Sequence, residues 1–531
     1  MGASKGRIKE RRERVALDVS QPILLSDLGS LGSDSTVEER EDGIKGVGQV
    51  SALRPGRKTK RPFTASSLQN LEAAAVWGPD WERAAAIDVQ MQHDGPGRRM
   101  ETNAMSMIVF GEAILECGSR ALKAEHELAD PANWSRLCRA VELAYPNDPT
   151  RRLNPKPPTY KQWWRFRKEY LGDIENLRFA KRAEAIKVAR HMGLLDPENG
   201  SLTNPSRDNV GVGDGKVLNG MFNTPPTDPE TGLPSTRRHD PDMDTYHKGD
   251  KRTGRRMVSV TTRSDYVNER VMLDVTTMHV TEGSDGTRFT DMVLELNEVL
   301  GYPVPVAAYD MALYAANHDR LMAGGTASVG KTHRNAKGQP KSLQLGEHTF
   351  NLVDGAKQQH PVLVVDGWPG ITIATVDGKK WVALEPVQVR NARNKDNSWR
   401  WWQYWAVRDL PEIDRSLRGA VVHIRHSYSA KEDSDESRSQ VLRLFPEGSP
   451  GYNAIFPKRN DIESMHRHLK DLMFNDRVST VGDRSLRIWL HTYQTRLNRT
   501  ALIAWHYRTG GDISEWFGEW KPPPQRKPLD A

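Results

Sequence analysis

The chain predicts a mixed α/β protein with a β-rich insertion and a helical N-terminal region. Three observations carry that reading. Between residues 201 and 335, short apolar runs follow the order strand, hairpin, helix, strand. Between 336 and 446, β-branched and aromatic runs alternate with turns rich in Gly, Asp and Asn. Between 63 and 200, apolar residues recur at helical spacing. The composition shifts give six segments: a charged tail at 1–62, helices at 63–200, and the first part of a core at 201–335. An insertion at 336–446, helices that complete the core at 447–510, and a Pro-rich tail at 511–531 follow.

A chain of 531 residues has ample length for several domains. Its formal charge is +7, its isoelectric point about 9.1 and its mean hydropathy −0.67. Such mild basicity permits a nucleic-acid partner without demanding one. Cys117 and Cys138 are too few for a disulfide framework or a four-cysteine zinc site, and read as reduced thiols. No apolar run approaches the ~18 residues a membrane span needs. The opening MGASKGRIKERRER lacks the apolar region of a secretory signal. The expectation is a cytoplasmic protein with no membrane partner.

In the tail, basic runs flank the acidic patch EEREDG, which suits either a solvated disordered segment or a loose phosphate-binding arm. The region 63–200 opens with SSLQNLEAAAVW, whose serines cap a helix, and ends in the basic YKQWWRFRKEYL and IENLRFAKRAEAIKVARHMGLL. Helices closing on two basic ones suit a helix-turn-helix-like DNA-binding module. Arg165, Arg167, Lys168, Lys181 and Arg182 are then its candidate phosphate contacts, with Trp163 and Trp164 in the core. An all-helical packing domain with a solvated basic face is the alternative.

In the core, VGVGDGKVL is a short apolar strand ending in Asp214 and Gly215. RRMVSVTTRS and NERVMLDVTTMHV form the hairpin, RFTDMVLELNEVLG the helix, and VPVAAYD a strand ending in Asp310. Strand ends of a mixed sheet are where reactive groups project into a crevice. Asp274, on the second hairpin strand, is the rival to Asp214. Further on, FPKRNDIESMHRHLK would stack Phe456, Arg459, Glu463, Arg467 and Lys470 along one stripe if helical. An acid between bases on one face suits a surface ion-pair ladder or a functional wall. The following DRSLRIWLHTYQTRLNRTALIAWHYR reads as a long helix offering Arg487, Arg496 and Arg499 to DNA.

The spacing Phe456-x2-Arg459-x3-Glu463-x6-Lys470 resembles the Tyr-x2-Arg-x3-Glu-x6-Lys signature of bacterial cut-and-paste DDE transposases, with Phe in place of Tyr. The element order also resembles their ribonuclease H-like core, and Asp-Pro-Asp at 240–242 resembles a loop motif of that superfamily. The resemblance implies a catalytic, metal-binding triad of Asp214, Asp310 and Glu463 holding two Mg²⁺ or Mn²⁺ ions. It implies phosphate contacts from Arg459, Arg467 and Lys470, and the loss at Phe456 of a phenolic contact. The Asp310–Glu463 gap exceeds the uninterrupted fold, which the insertion explains. In relatives that pass through a DNA hairpin, such an insertion supplies an aromatic that stacks on a flipped base. Trp399 and Trp402 are the leading candidates here, among Trp401, Trp405, Trp368 and Trp381. The implied partners are double-stranded DNA, as transposon ends and target, and a second copy of the chain on that DNA, in the nucleoid. A non-catalytic DNA-binding relative is an alternative.

GTASVGKT at 325–332 matches the P-loop pattern. A working P-loop follows a buried strand and opens a helix. Here a helical pattern precedes it and HRNAKGQPK follows, so the match reads as accidental, with a P-loop ATPase kept as the alternative.

Overall fold

The computed structural model describes residues 63–93, 100–200, 206–221, 231–232, 240, 242–248, 250–310, 312–332, 338–376, 378–426 and 438–523. The expected tail at 1–62 and the last residues of the Pro-rich tail lie outside them.

Among the described residues seven helices come first: α1 (Ala65–Ala75), α2 (Gly78–His93), α3 (Ala104–Glu116), α4 (Ala121–Leu128), α5 (Pro131–Ala144), α6 (Tyr160–Glu169) and α7 (Ile174–His191). Their starts are chemically marked. Asn103, Asp130, Thr159 and Asp173 each accept a hydrogen bond from a first-turn amide of the helix they precede. Helix α3 is buried all round except at its last residue, so it forms the centre of this layer.

The core sheet follows: β1 (Val210–Gly220), β2 (Asp244–Lys248), β3 (Asp250–Arg263), β4 (Arg270–Met278), α8 (Asp285–Leu300), β5 (Val306–Ala308), α9 (Ala315–Ala323) and β6 (Ala327–Val329). Across the sheet the order is β4, β3, β1, β5, β6. Strand β3 is antiparallel to β1 and β4, whereas β5 runs parallel to both β1 and β6. The VGVGDG run explains how α8 seats here. Its valines, Val210 and Val212, are buried on one face with Leu218. Its glycines lie on the other. A Cβ at Gly213 would stand 2.2 Å from the Phe289 ring, and one at Gly215 2.2 Å from the Asp285 carboxylate. These glycines let α8 approach the sheet; they cradle no phosphate.

The insertion holds β7 (Ser342–Asn351), β8 (Lys357–Val365), β9 (Trp368–Thr375), β10 (Gly378–Ala383), β11 (Glu385–Arg393), β12 (Trp399–Ala406) and β13 (Val421–Arg425). All pairings are antiparallel, in the order β10, β9, β8, β7, β13, β12, β11. Strands β10 and β11 sit at opposite edges, yet Leu384 alone separates them in sequence. The sheet must therefore roll until those edges meet at one corner. Phe350, Val364, Ile371, Trp405 and Val422 fill the inside. QVLRLFP, which reads as a further strand, is instead an irregular segment after a 3₁₀ turn. Its Val441 and Leu442 enter the insertion core, while Leu444 and Phe445 enter the main one.

The chain ends with α10 (Pro450–Ile455), a 3₁₀ turn (Phe456–Asn460), α11 (Asp461–Asp471), β14 (Arg477–Val478), α12 (Asp483–Thr509) and α13 (Ser514–Phe517). Ile462, Met465 and Leu469 of α11 join the core cluster that holds Val210, Val212 and Leu218 of β1. Helix α12 packs along β4 and α7. The Asp-Pro-Asp loop caps α12 from a distance: Asp240 accepts the Gly482 amide at 2.9 Å and Asp242 the Asp483 amide at 2.7 Å. Two carboxylates at a helix N-terminus satisfy orphan donors and oppose the dipole. The segment expected as a tail begins docked, because Trp516 of α13 stacks on Trp77 with ring centroids 5.1 Å apart.

Candidate functional site

Register builds the site. Val212 pairs with Ala308 across the parallel β1–β5 edge, and two further residues along each strand bring Asp214 level with Asp310. Ala308 pairs with Val329 across β5–β6, so the same step sets Lys331 level with Asp310. Residues two apart share a face. Asp214 and Asp310 therefore emerge on the face of Val210 and Val212, which α11 covers. Each carboxylate is half-buried and accepts one local amide, from Gly215 at 3.0 Å and from Ala312 at 2.8 Å.

The electrostatics are those of acids held close. Burial, reinforced by the charges of Asp310 and Asp285, pushes Asp214 up to about 6 against the pull of Arg459. Burial and the charges of Asp285, Asp214 and Asp310 likewise hold the Tyr309 phenol far above its usual range. That hydroxyl is buried and has no hydrogen-bond partner. A basic wall stands opposite. His466 places Nδ1 3.6 Å from Asp214 Oδ2, too long for a hydrogen bond. Burial, then Lys216, Arg270, Arg459 and Lys470, push it down to about 3, so the imidazole is neutral at pH 7. Burial and Lys470 also lower Lys216. The crevice thus joins hard oxygen donors to a cationic rim, a pairing that suits a divalent cation and a phosphate ester. Among the described residues, no three Asp, Glu, His or Cys side chains gather closely enough to hold one ion.

Of the stripe read from the sequence, only part survives. Phe456–Asn460 is a 3₁₀ turn, so the helix begins at Asp461 and the stripe is broken before it. Phe456 stacks on Tyr452 at 4.7 Å and packs against the main core. Arg459 is half-buried and near enough to Asp214 to oppose its upward shift. Glu463, Arg467 and Lys470 are exposed on α11. By helical spacing Glu463 shares a flank with His466 and Lys470, which border Asp214 and Lys216. No described hydrogen bond or ion pair joins Glu463 to either aspartate.

The tryptophans divide. Trp401 is in the main core and donates to the Met322 carbonyl at 2.6 Å; Trp405 is in the insertion core. Trp399 is half-buried against the main core, and Trp402 is half-exposed with the Arg400 guanidinium 5.3 Å above its ring.

Several basic candidates are corrected. Lys181 and Arg182 are 4% and 2% exposed and do not face solvent. Lys181 binds Asp80 at 2.8 Å, while Arg182 and Arg178 grip Asp274 and Glu295. Arg487, Arg496 and Arg499 are buried on Glu175, Glu116 and Glu112. Helices α7 and α12 pack on each other and on β4, so their charges meet acids inside the protein. Asp274 is fully buried in that network and is no rival to Asp214. Trp164, expected in the core, is 46% exposed under Lys168; Arg165 pairs with Glu169 at 2.7 Å on the same surface. The P-loop match is also resolved. Helix α9 comes first and β6 lies within the motif, the reverse of strand, loop, helix.

Sequence reasoning missed Asp285, Tyr309 and His466. Asp285 carried a faint signal, as the first residue of α8 after the Ser284 cap. His466 had one too, since it falls on the apolar side of α11 among Ile462, Met465 and Leu469.

No family model and no curated protein matches the chain. Among solved structures it is similar to a piggyBac transposase synaptic complex with hairpin DNA, seen by electron cryo-microscopy. The TM-score is 0.31 and the identity 9%, over 85% of this chain and 76% of that one. That likeness is too loose to assign a fold or an activity.

Proposed function

We propose that the chain is a DNA strand-cleaving and strand-joining enzyme, a transposase with DDE chemistry on a ribonuclease H-like core. One observation supports this above the rest: Asp214, within β1, and Asp310, just past the end of β5, stand level on adjacent parallel strands. The order strand, hairpin, helix, strand around them is the order that the resemblance implies.

In this reading Asp214 and Asp310 hold Mg²⁺ or Mn²⁺, with Glu463 as the third acid brought in from the exposed flank of α11. Crowded acids fit a site for a hard cation, which takes oxygen ligands. Such cations, in pairs, polarise attacking and leaving oxygens in an in-line displacement at phosphorus. The chain's own groups do the rest. Arg459 offers a planar two-pronged contact to a strand phosphate, and Lys470 a point charge. Neutral His466 closes the inner side of the crevice against water without adding a competing charge. Phe456 contributes stacking on Tyr452 and no hydroxyl. Double-stranded DNA is the partner, as transposon ends and target, and a second copy of the chain assembles on it.

The test is Mg²⁺-dependent cleavage of DNA bearing the sequences that flank the gene. Asp310→Ala should lower the rate at least about a hundredfold, because even outer-shell changes at metal sites cost up to that much. Its melting temperature should not fall. Wild-type rates in Asp310→Ala would sink the reading.

A further inference from the structure

GTASVGKT builds no nucleotide pocket, yet it brings a lysine to the crevice. Strand β6 ends at Val329, and the β5–β6 register sets Lys331 level with Asp310. The chain here runs beside Asp310: a Cβ at Gly330 would lie 3.6 Å from the Asp310 carbonyl. The Lys331 ammonium sits 5.8 Å from the centre of the Phe456 ring, three residues before Arg459. Its acidic neighbour is Glu447, at 3.7 Å, and both side chains are more than two-fifths exposed. An ion pair that open to water is worth little and yields readily to a better anion. Lys331, just past β6, and Arg459, in the 3₁₀ turn, therefore approach from different elements: Lys331 lies over the Phe456 ring and Arg459 near Asp214.

We infer that Lys331 is a strand-phosphate contact of this crevice, its ammonium leaving Glu447 to bind a DNA phosphodiester laid beside Asp310. This rests on the reading of the site as one that acts on DNA. A phosphate contact made by a lysine is a point-charge contact, so arginine should serve nearly as well. It should also release counterions, so its loss must appear in the salt dependence of binding.

The experiment uses the full chain and a fluorescein-labelled duplex, read by anisotropy across a salt titration. Lys331→Gln should weaken binding about tenfold, the effect of losing one charge-assisted contact. It should also reduce the slope of log affinity against log salt by about 0.9. Lys331→Arg should restore both, and Glu447→Gln should tighten binding by freeing the ammonium. Unchanged melting temperatures in these variants separate the effect from a structural one. Wild-type affinity and slope in Lys331→Gln, with wild type binding DNA, would overturn the inference and leave the proposed function standing. No DNA binding by wild type would overturn that function itself. ATP hydrolysis by wild type that disappears in Lys331→Gln would overturn the inference in favour of a nucleotide role.

Discussion

The protein keeps two populations of basic side chains, and they behave differently. One set, on α7 and α12, is buried and faces carboxylates: Arg178 and Arg182 on Asp274, Lys181 on Asp80, Arg496 on Glu116, Arg499 on Glu112. Those around Asp214, namely Lys216, Arg459 and Lys470, crowd one another and a neutral histidine instead. The first set satisfies the fold. The second is held near acids without matching them one for one, which is how a site stays ready for a charged ligand. Net charge counts both sets alike, so only burial and partners tell them apart.

That contrast can be broken most forcefully at Asp274. Asp274→Ala would remove the fully buried partner of two buried guanidiniums, leaving them only the partly exposed Glu295 in common, and should cost about 3–5 kcal/mol, measured by urea denaturation. A loss near zero would mean that water reaches the network. The tryptophans sharpen the same contrast between structural and exposed groups. Trp401→Ala should cost about 3–5 kcal/mol as a core truncation. Trp402→Ala should cost less than about 1.5 kcal/mol and act mainly on DNA affinity. At the crevice the sign moves from stability to binding. Arg459→Gln should leave stability within about 0.5 kcal/mol while weakening duplex binding about tenfold.

The smallest effect runs opposite to that of Asp274. The Asp214 carboxyl is pushed up to about 6 in the folded protein, above its ordinary 3.8. An acid whose folded value is raised favours the fold while protonated, and that stability is lost as pH climbs from about 4 through about 6. Asp214→Asn should therefore flatten this decline and stabilise the protein at pH 7 by on the order of 1 kcal/mol. Denaturation at about pH 4.5 and pH 7 reads both changes. A destabilised Asp214→Asn would place Asp214 with the structural acids.

Much of the core was legible because its signals are local. The strand leading to Asp310, the hairpin, and a helix stopped by Gly301 in a left-handed conformation follow from residue patterns within a few positions. The first strand, by contrast, does not end at Asp214 and Gly215 but runs on to Gly220, paired with β3. The insertion was legible as short strands, but not its rolling, which depends on Leu384 joining two edges. The basic helices misled for a physical reason. Lys181 and Arg182 look like a DNA-facing stripe, and the acids that claim them lie about a hundred residues away in sequence, at Asp80 and Asp274. Likewise, Phe456 to Lys470 reads as one helix, because nothing local announces that the chain turns tightly up to Asn460 before α11 begins.

The placement of α11 has a consequence for the order in which the protein is made. Asp214 and Asp310 leave the ribosome before the whole rolled insertion, while Arg459 and His466 follow it. A nascent chain therefore carries the acid pair long before the helix that walls it in can dock. Assembly of the crevice waits on contacts of high sequence separation, the slow class of folding event. A polypeptide halted before residue 459 holds the acids and Lys216 but lacks Arg459, His466 and Lys470, so synthesis itself keeps the site incomplete until α11 is in place.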